Sequence, residues 1–446
     1  MDSEEQSFKI LLFPWLAHGH ISPFLQLSKK LSQQNFQIYI CSTPINLNSI
    51  KNKIPQKYNL KIHLLELNLP SSQELPPHYH TTNGLPLHLN PKLRKALKMS
   101  KPNLSNILKS LKPDMLIYDI VQPWAAKLAL EQNIPSVLFI TSGAFMFSYF
   151  CHLGRRPGSE FPFPGMKLTD FELSMALEIL ASVKNEEKDP DDEIIQRKDG
   201  IVLMNTSREI EGKFIDYVSE LINWNIVPTG VMIQEPSICE ENDDEVLKWL
   251  AEKDEFSTVY VSFGSEYFLK KEDIQEIAYG LELSNVDFIW VIRSPKGEEI
   301  EVAEVLPEGF LERVGEKGKI LEKWAPQAKI LSHGSVGGFL SHCGWNSLME
   351  SIDFRVPIIG MPMQLDQPLC AKLVVELGVG VDVVRDEKGK FGREEISRMV
   401  KDVVFEGRGD VLRKKIGEVR EKVRLRSSEE IDGVVEKLIE ICGKSS

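Results

Sequence analysis

The chain uses few cysteines, and without pattern. Six occur in 446 residues, at positions 41, 151, 239, 343, 370 and 442, and no two form a Cys-x-x-Cys pair. A disulfide framework and a zinc site are therefore both disfavoured, and reduced thiols in a cytoplasmic protein are expected. Basic charge is also short. Fifty-three Lys and Arg face 65 Asp and Glu, for a net charge of −12, which argues against nucleic acid or anionic membranes as partners. Any anionic ligand must then be held locally, by backbone N–H groups or a few placed side chains. No run approaches the ~18 apolar residues of a membrane span. The opening stretch, MDSEEQSFKILLF, lacks the basic start and longer apolar region of a secretory signal. The sequons at Asn103 and Asn205 carry no weight in that compartment. Nothing demands more than a monomer.

Two catalytic fingerprints are missing as well. The first apolar run leads into PWLAHGH rather than a Gly-x-Gly-x-x-Gly turn, which disfavours a dinucleotide-dependent dehydrogenase. No Gly-x-Ser-x-Gly elbow presents a nucleophilic serine.

What the chain does have is alternation. KILLFPW, FQIYIC, KIHLLEL, DMLIYD and PSVLFIT read as buried strands, separated by helix-length stretches such as SPFLQLSKKLSQ and PWAAKLALEQ. Continuous apolar strands between helices imply parallel sheets covered on both faces. The acidic, proline-containing stretch from Pro228 to Leu250 has linker composition. After it the rhythm restarts with STVYVSF, VDFIWVIR, KGKILEKW, VGGFLSH, VPIIGMP and GVGVDVV. The expected fold class is α/β, with two Rossmann-like, doubly wound domains at 1–235 and 236–425 facing a cleft. A charged C-terminal stretch forms one or two long helices, and its end, 426–446, is expected to pack back on the first domain. Segment 151–200 has no clean period and should include mobile loops. Ligands of such sheets bind beyond the carboxyl ends of the strands.

Residues 341–351, SHCGWNSLMES, pass from an apolar strand through a glycine into a helical pattern. Exposed N–H groups and the helix dipole would hold an anion there. His342, Asn346 and Glu350 step by four and would face one way on a helix. That spacing suits a diphosphate at the helix start and a ribose hydroxyl pair at Glu350. It suits equally a packed Trp345 and an Asn346 helix cap, and spacing alone does not choose. In the first half, FPWLAHGHISPF puts His20 beyond the first strand, and MLIYD ends on Asp119 at the same sheet edge. Together they suggest a carboxylate orienting an imidazole base. His78, His80 and His88 share a proline-rich loop, read as lining a ligand pocket rather than binding metal.

The stretch from Trp324 to Gln367, WAPQAKILSHGSVGGFLSHCGWNSLMESIDFRVPIIGMPMQLDQ, closely resembles the signature of plant UDP-sugar glycosyltransferases. The likeness includes VSFGS at 261–265 and extends along the chain. The resemblance implies the GT-B arrangement of two Rossmann-like domains, with UDP-sugar held mainly by the second. It further implies that Trp324 stacks on uracil, with the Ala325 backbone reading the base edge. Gln327 and Glu350 would face the ribose, while His342, Asn346, Ser347 and Ser265 touch the diphosphate. Trp345, Asp366 and Gln367 would bind the sugar, Gln367 pointing to glucose. His20 and Asp119 match the family's catalytic pair, and Thr141 matches a position contacting the donor sugar from the first domain. Arg355 stands where many relatives have glycine, and Glu266 follows Ser265 as a charge at odds with a diphosphate.

The implied enzyme is an inverting UDP-glucose-dependent transferase with no cofactor and no metal. PWLAHGHISPFLQL, LPPHYHTTNGLP and SFGSEYFL resemble the branch-forming subgroup, which adds sugar to a sugar on triterpenoid, flavonoid or lignan glycosides. Transfer to a bare aglycone hydroxyl is the alternative, and a non-catalytic UDP-sugar-binding protein the reading from another class.

Overall fold

The computed structural model describes residues 7–185, 200–234, 243–298 and 301–443. It divides into two compact units. The first gathers the described residues of Met1–Cys151, Lys184–Met232 and Val423–Ser446, and the second those of His152–Val183 and Ile233–Lys422.

The first unit is built on a seven-stranded sheet: β1 (Phe8–Phe13), β2 (Phe36–Ser42), β3 (Ile62–Glu66), β4 (Met115–Asp119), β5 (Ser136–Ile140), β6 (Ile201–Met204) and β7 (Asn225–Pro228). Their order is β3-β2-β1-β4-β5-β6-β7, and every pairing is parallel. The chain winds one way from β1 to β3, then crosses back to place β4 on the other side of β1. The crevice where the winding reverses lies beyond the carboxyl ends of β1 and β4, and that is where such sheets bind ligands. Leu12 and Phe13 pair with Ile117 and Tyr118 in this register, so the residues that follow both strands emerge side by side.

The second unit repeats the plan with β8 (Thr258–Ser262), β9 (Asp287–Val291), β10 (Gly318–Leu321), β11 (Val336–Ser341), β12 (Ile358–Gly360) and β13 (Gly380–Asp382). The order is β10-β9-β8-β11-β12-β13, again parallel throughout. Its reversal falls between β8 and β11, where Ser262 lies opposite Ser341.

Burial explains why these runs are strands. Ile10–Phe13 and Met115–Tyr118 are buried on both faces, as a sheet covered by helices on either side requires. Ile10, Leu12, Ile38 and Ile40 pack with Phe24 and Leu27 of the helix His18–Ser32. Val434, Leu438 and Cys442, from the helix Arg408–Gly443, complete the same core. That final helix is continuous over 36 residues; its residues through Lys422 cluster with the second unit and those from Val423 with the first.

Three sequence expectations change. A helix, Asp243–Ala251, occupies part of the stretch with linker composition; Val246 and Leu250 turn into the second unit's core, so a stretch of acidic composition carries a helical face. The boundary at 235/236 lies outside the described residues. Residues 170–185 form a helix in the segment expected to include mobile loops, and 152–183 cluster with the second unit rather than the first. There Lys372 bridges Glu172 at 3.5 Å and Asp382 at 3.3 Å. Residues 186–199, the rest of that segment, lie outside the described residues. No helix among the described residues is long and apolar enough to cross a membrane.

Candidate active site

At the first reversal point, β1 passes through Pro14–Ala17 into the helix His18–Ser32, which puts His20 in the helix's first turn. Asp119 closes the neighbouring strand β4. Their side chains meet, with His20 Nδ1 2.8 Å from Asp119 Oδ2. Asp119 is fully buried, whereas the His20 side chain keeps 28% of its surface exposed. The carboxylate also accepts the N–H groups of Trp15, at 3.3 Å, and Val121, at 3.1 Å. An ionised carboxylate only accepts, so Nδ1 carries the proton and the imidazole presents Nε2 as its basic nitrogen. Thr141, directly after β5, places Oγ1 3.1 Å from the same Nδ1. The three residues that the resemblance assigned to this half are thus one cluster.

The histidine-rich loop does not converge. His78 and His88 are exposed, while His80 is buried and its Nε2 lies 3.3 Å from the Leu75 carbonyl. No group of three or more His, Cys, Asp or Glu that could hold a metal occurs among the described residues. The loop does abut the base: Thr82 N–H donates to the Leu16 carbonyl at 3.0 Å, in the turn leading to His20.

At the second reversal point, β11 ends at Ser341 and the helix Trp345–Phe354 begins after three residues. Cys343 has a left-handed φ of 63° and Gly344 is the extended N-cap. His342 therefore precedes the helix, and the expected alignment of His342, Asn346 and Glu350 along one helical face holds for the last two alone. The turn instead slots His342 between two glycines. A Cβ added at Gly264 would meet Nε2 at 2.7 Å, and one at Gly344 at 2.6 Å. His342 is half-buried, but its Nδ1 is enclosed without a well-formed hydrogen bond. Burial pushes the imidazole down to about 4, and the Ser262 backbone only partly opposes this. The ring is neutral near pH 7 and brings a dipole, rather than a cation, to the start of the helix. Helix N–H groups and such a donor suit a phosphate. Asn346, Ser347 and Ser265 are half-buried around the same two strand ends.

One turn along, Gln327 Nε2 donates to Glu350 Oε2 at 2.7 Å and to Ser347 Oγ at 3.3 Å. This ties the segment after Trp324 to the helix and joins an amide and a carboxylate, the groups that recognise paired hydroxyls. Trp324 leaves 43% of its surface exposed, while Ala325 is buried. Gln367 Oε1 accepts the N–H groups of Met363, at 2.8 Å, and Gln364, at 2.9 Å; its carbonyl is thereby fixed and its amide NH₂ is the end left to address a ligand. Asp366, half-buried, stands at the N-cap of the helix Gln367–Leu377, just after Leu365 with its left-handed φ of 56°. Trp345 is buried. Arg355 takes the left-handed C-cap of the Trp345–Phe354 helix, φ 61°, and pairs with Glu421 at 3.2 Å.

Three further residues bear on these clusters. Arg293 lies over the Trp324 ring at 5.5 Å; its place at the carboxyl end of an apolar strand was the available signal. Asn205 and Glu211 are buried beside Thr141. Neither carries a local sequence signal: Asn205 follows the short strand β6, which was not read from the sequence, and Glu211 lies inside the helix Arg208–Ile222.

Two parallel, doubly wound sheets with a phosphate-type turn in the second are the components of the GT-B fold. The family described as UDP-glucoronosyl and UDP-glucosyl transferase matches residues 238–407, and that described as glycosyltransferase, N-terminal domain, matches residues 6–225. The chain is 54% identical over 435 residues to a beta-D-glucosyl crocetin beta-1,6-glucosyltransferase of Gardenia jasminoides, covering 96% of this chain and 98% of that one. It is 46% identical to a mogroside IIIx synthase of Siraitia grosvenorii, covering 98% and 94%. A solved transferase of Siraitia grosvenorii in complex with UDP superposes with a TM-score of 0.74 at 25% identity, covering 97% and 99%. The chain belongs to the plant UDP-glycosyltransferase family and is a glycosyltransferase.

Proposed function

We propose that the protein transfers glucose from UDP-glucose to a sugar hydroxyl of a plant natural-product glycoside, forming a β-linkage with inversion. The observation that carries the chemistry is the hydrogen bond of His20 Nδ1 to the buried Asp119. It leaves Nε2 to take the acceptor's hydroxyl proton as that oxygen attacks the anomeric carbon from the face opposite UDP. Asp119 stabilises the imidazolium that results. Uracil stacks on Trp324 with its edge toward the Ala325 backbone, and the ribose hydroxyls lie on Gln327 and Glu350. The departing diphosphate is met by the N-terminus of the Trp345–Phe354 helix with His342, Asn346, Ser347 and Ser265. Trp345, Asp366 and Gln367 hold the glucose. The charge of the leaving group is answered by these donors, so the step calls for no metal and no further cofactor.

The acceptor class rests on the 54% identity to an enzyme named for glucosylating a crocetin glucoside. Triterpenoid, flavonoid and lignan glycosides are the acceptors to try. The purified protein is incubated with UDP-glucose and matched pairs of glycoside and aglycone, and products are read by mass and by anomeric proton coupling. Glucosylation of the glycoside alone, with a β-configured product, is expected. Transfer to the aglycone in preference would replace this reading with a first-glucosylation enzyme. Tight UDP binding with no transfer to any acceptor would make the protein a UDP-sugar binder.

A further inference from the structure

The turn that carries Thr141 is braced from outside by a buried carboxylate. β5 ends at Ile140, and the next helix starts at Ala144. The residue before that helix is Gly143, which has no side chain to cap it. Glu211, 67 and 66 residues away, supplies the cap instead. Its Oε2 accepts the Ala144 N–H at 2.7 Å and its Oε1 the Phe145 N–H at 2.8 Å. The Thr206 hydroxyl donates to Oε2 at 2.5 Å. The backbone of Glu211 leaves helical geometry, with φ −128° and ψ 19°, inside the helix Arg208–Ile222. The other end of the turn is held too, because Asn205 Nδ2 donates to the Thr141 carbonyl at 3.2 Å while its Oδ1 accepts the Met232 N–H at 2.8 Å.

Glu211 is fully buried, and burial pushes its carboxyl up despite the three donors. A local Ser cap at 143 would satisfy one helix N–H group without burying a carboxylate. It would also bend the 141–143 turn to its own needs. Capping from a separate element leaves that turn to present Thr141 Oγ1 at 3.1 Å from His20 Nδ1.

We infer that Glu211 is a positioning residue for the transfer step, acting through Thr141 on the orientation of His20; this rests on His20 being the base. Misplacement of a reacting group by 1 Å costs up to roughly 10²-fold in rate.

The test is a double-mutant cycle. Glu211→Gln is expected to lower kcat at saturating donor and acceptor by about tenfold or more, with UDP affinity by calorimetry unchanged. In a Thr141→Ala background the same substitution should lower kcat no further. Unchanged kcat in folded Glu211→Gln, or an equal loss in both backgrounds, overturns the inference. Should that variant not fold, Thr206→Val carries the cycle by removing one of the three donors. If neither folds, Glu211 belongs to stability alone and the inference is wrong. His20→Ala run alongside separates the two readings: if it turns over normally, the base assignment is at fault. If it is inactive while Glu211→Gln is normal, the positioning role alone fails.

Discussion

Replacing Gly344 by alanine isolates the diphosphate role proposed for His342. Gly344 has φ −62° and ψ 141°, extended geometry that any residue adopts, so the backbone gives no reason for glycine. The added Cβ would instead meet His342 Nε2 at 2.6 Å, roughly 0.8–0.9 Å inside ordinary contact. The imidazole must move by about that much, enough to break a hydrogen bond to an oxygen it was aimed at. A hydrogen bond to a charged partner contributes about 1.5–3 kcal/mol, so UDP should bind about ten- to a hundredfold more weakly. Calorimetric titration with UDP reads this directly. His342→Ala should show a similar loss, and Gly344→Ala added to it should cost nothing more. Gly264→Ala makes a parallel contact at 2.7 Å but at a φ of +80°. It should therefore also destabilise the fold by roughly 1–2 kcal/mol, visible as a lower Tm. Wild-type UDP affinity in folded Gly344→Ala would refute the placement of the diphosphate at this imidazole.

Acid sensitivity follows from the same residue. The His342 pKa is about 4 in the fold against an ordinary 6.5, so between those values the unfolded chain binds the proton first. Stability should fall as pH drops from 6.5 toward 4, and His342→Gln should flatten that fall in urea titrations at pH 7 and pH 5; an identical fall in both proteins would count against it. Arg355→Gly relieves a left-handed C-cap at the expense of one exposed ion pair, and should stabilise by about 0.5–1 kcal/mol. The readout is a higher urea midpoint at unchanged slope. Removing residues 423–443 strips Val434, Leu438 and Cys442 from the first unit's core. Each large apolar side chain contributes about 1.5–3 kcal/mol against a total of about 5–15, so the truncated chain should lose its first unit to limited proteolysis. A protease-resistant first unit would contradict this role for the last helix.

The longer buried strands announced themselves because short apolar runs such as FKILLF and MLIYD recur between helix-length amphipathic stretches. β6 and β7, four residues each, were missed although the still shorter β12 and β13 were read; IVLM follows the charged stretch 186–199, where no period guides the eye. The Asp243–Ala251 helix was hidden because its acidic start, DDE, has the composition of a linker. At the site, His20 and Asp119 were readable since one follows and the other ends a strand, and a doubly wound sheet makes those strands neighbours. His342 was placed on a helix because spacing by four does not register a left-handed Cys343 or an extended Gly344. Glu211 was invisible for a different reason: what it caps lies 67 residues earlier, and no local pattern encodes a partner at that distance.

The central claim is a division of labour, with the base in the first unit and nucleotide recognition in the second. Paired measurements on His20→Ala test it most directly, namely UDP affinity by calorimetry and turnover with UDP-glucose and an accepted glycoside. UDP affinity should match the wild type while kcat falls by roughly 10²–10⁴-fold. Normal turnover, or UDP affinity lost together with turnover, would contradict the account.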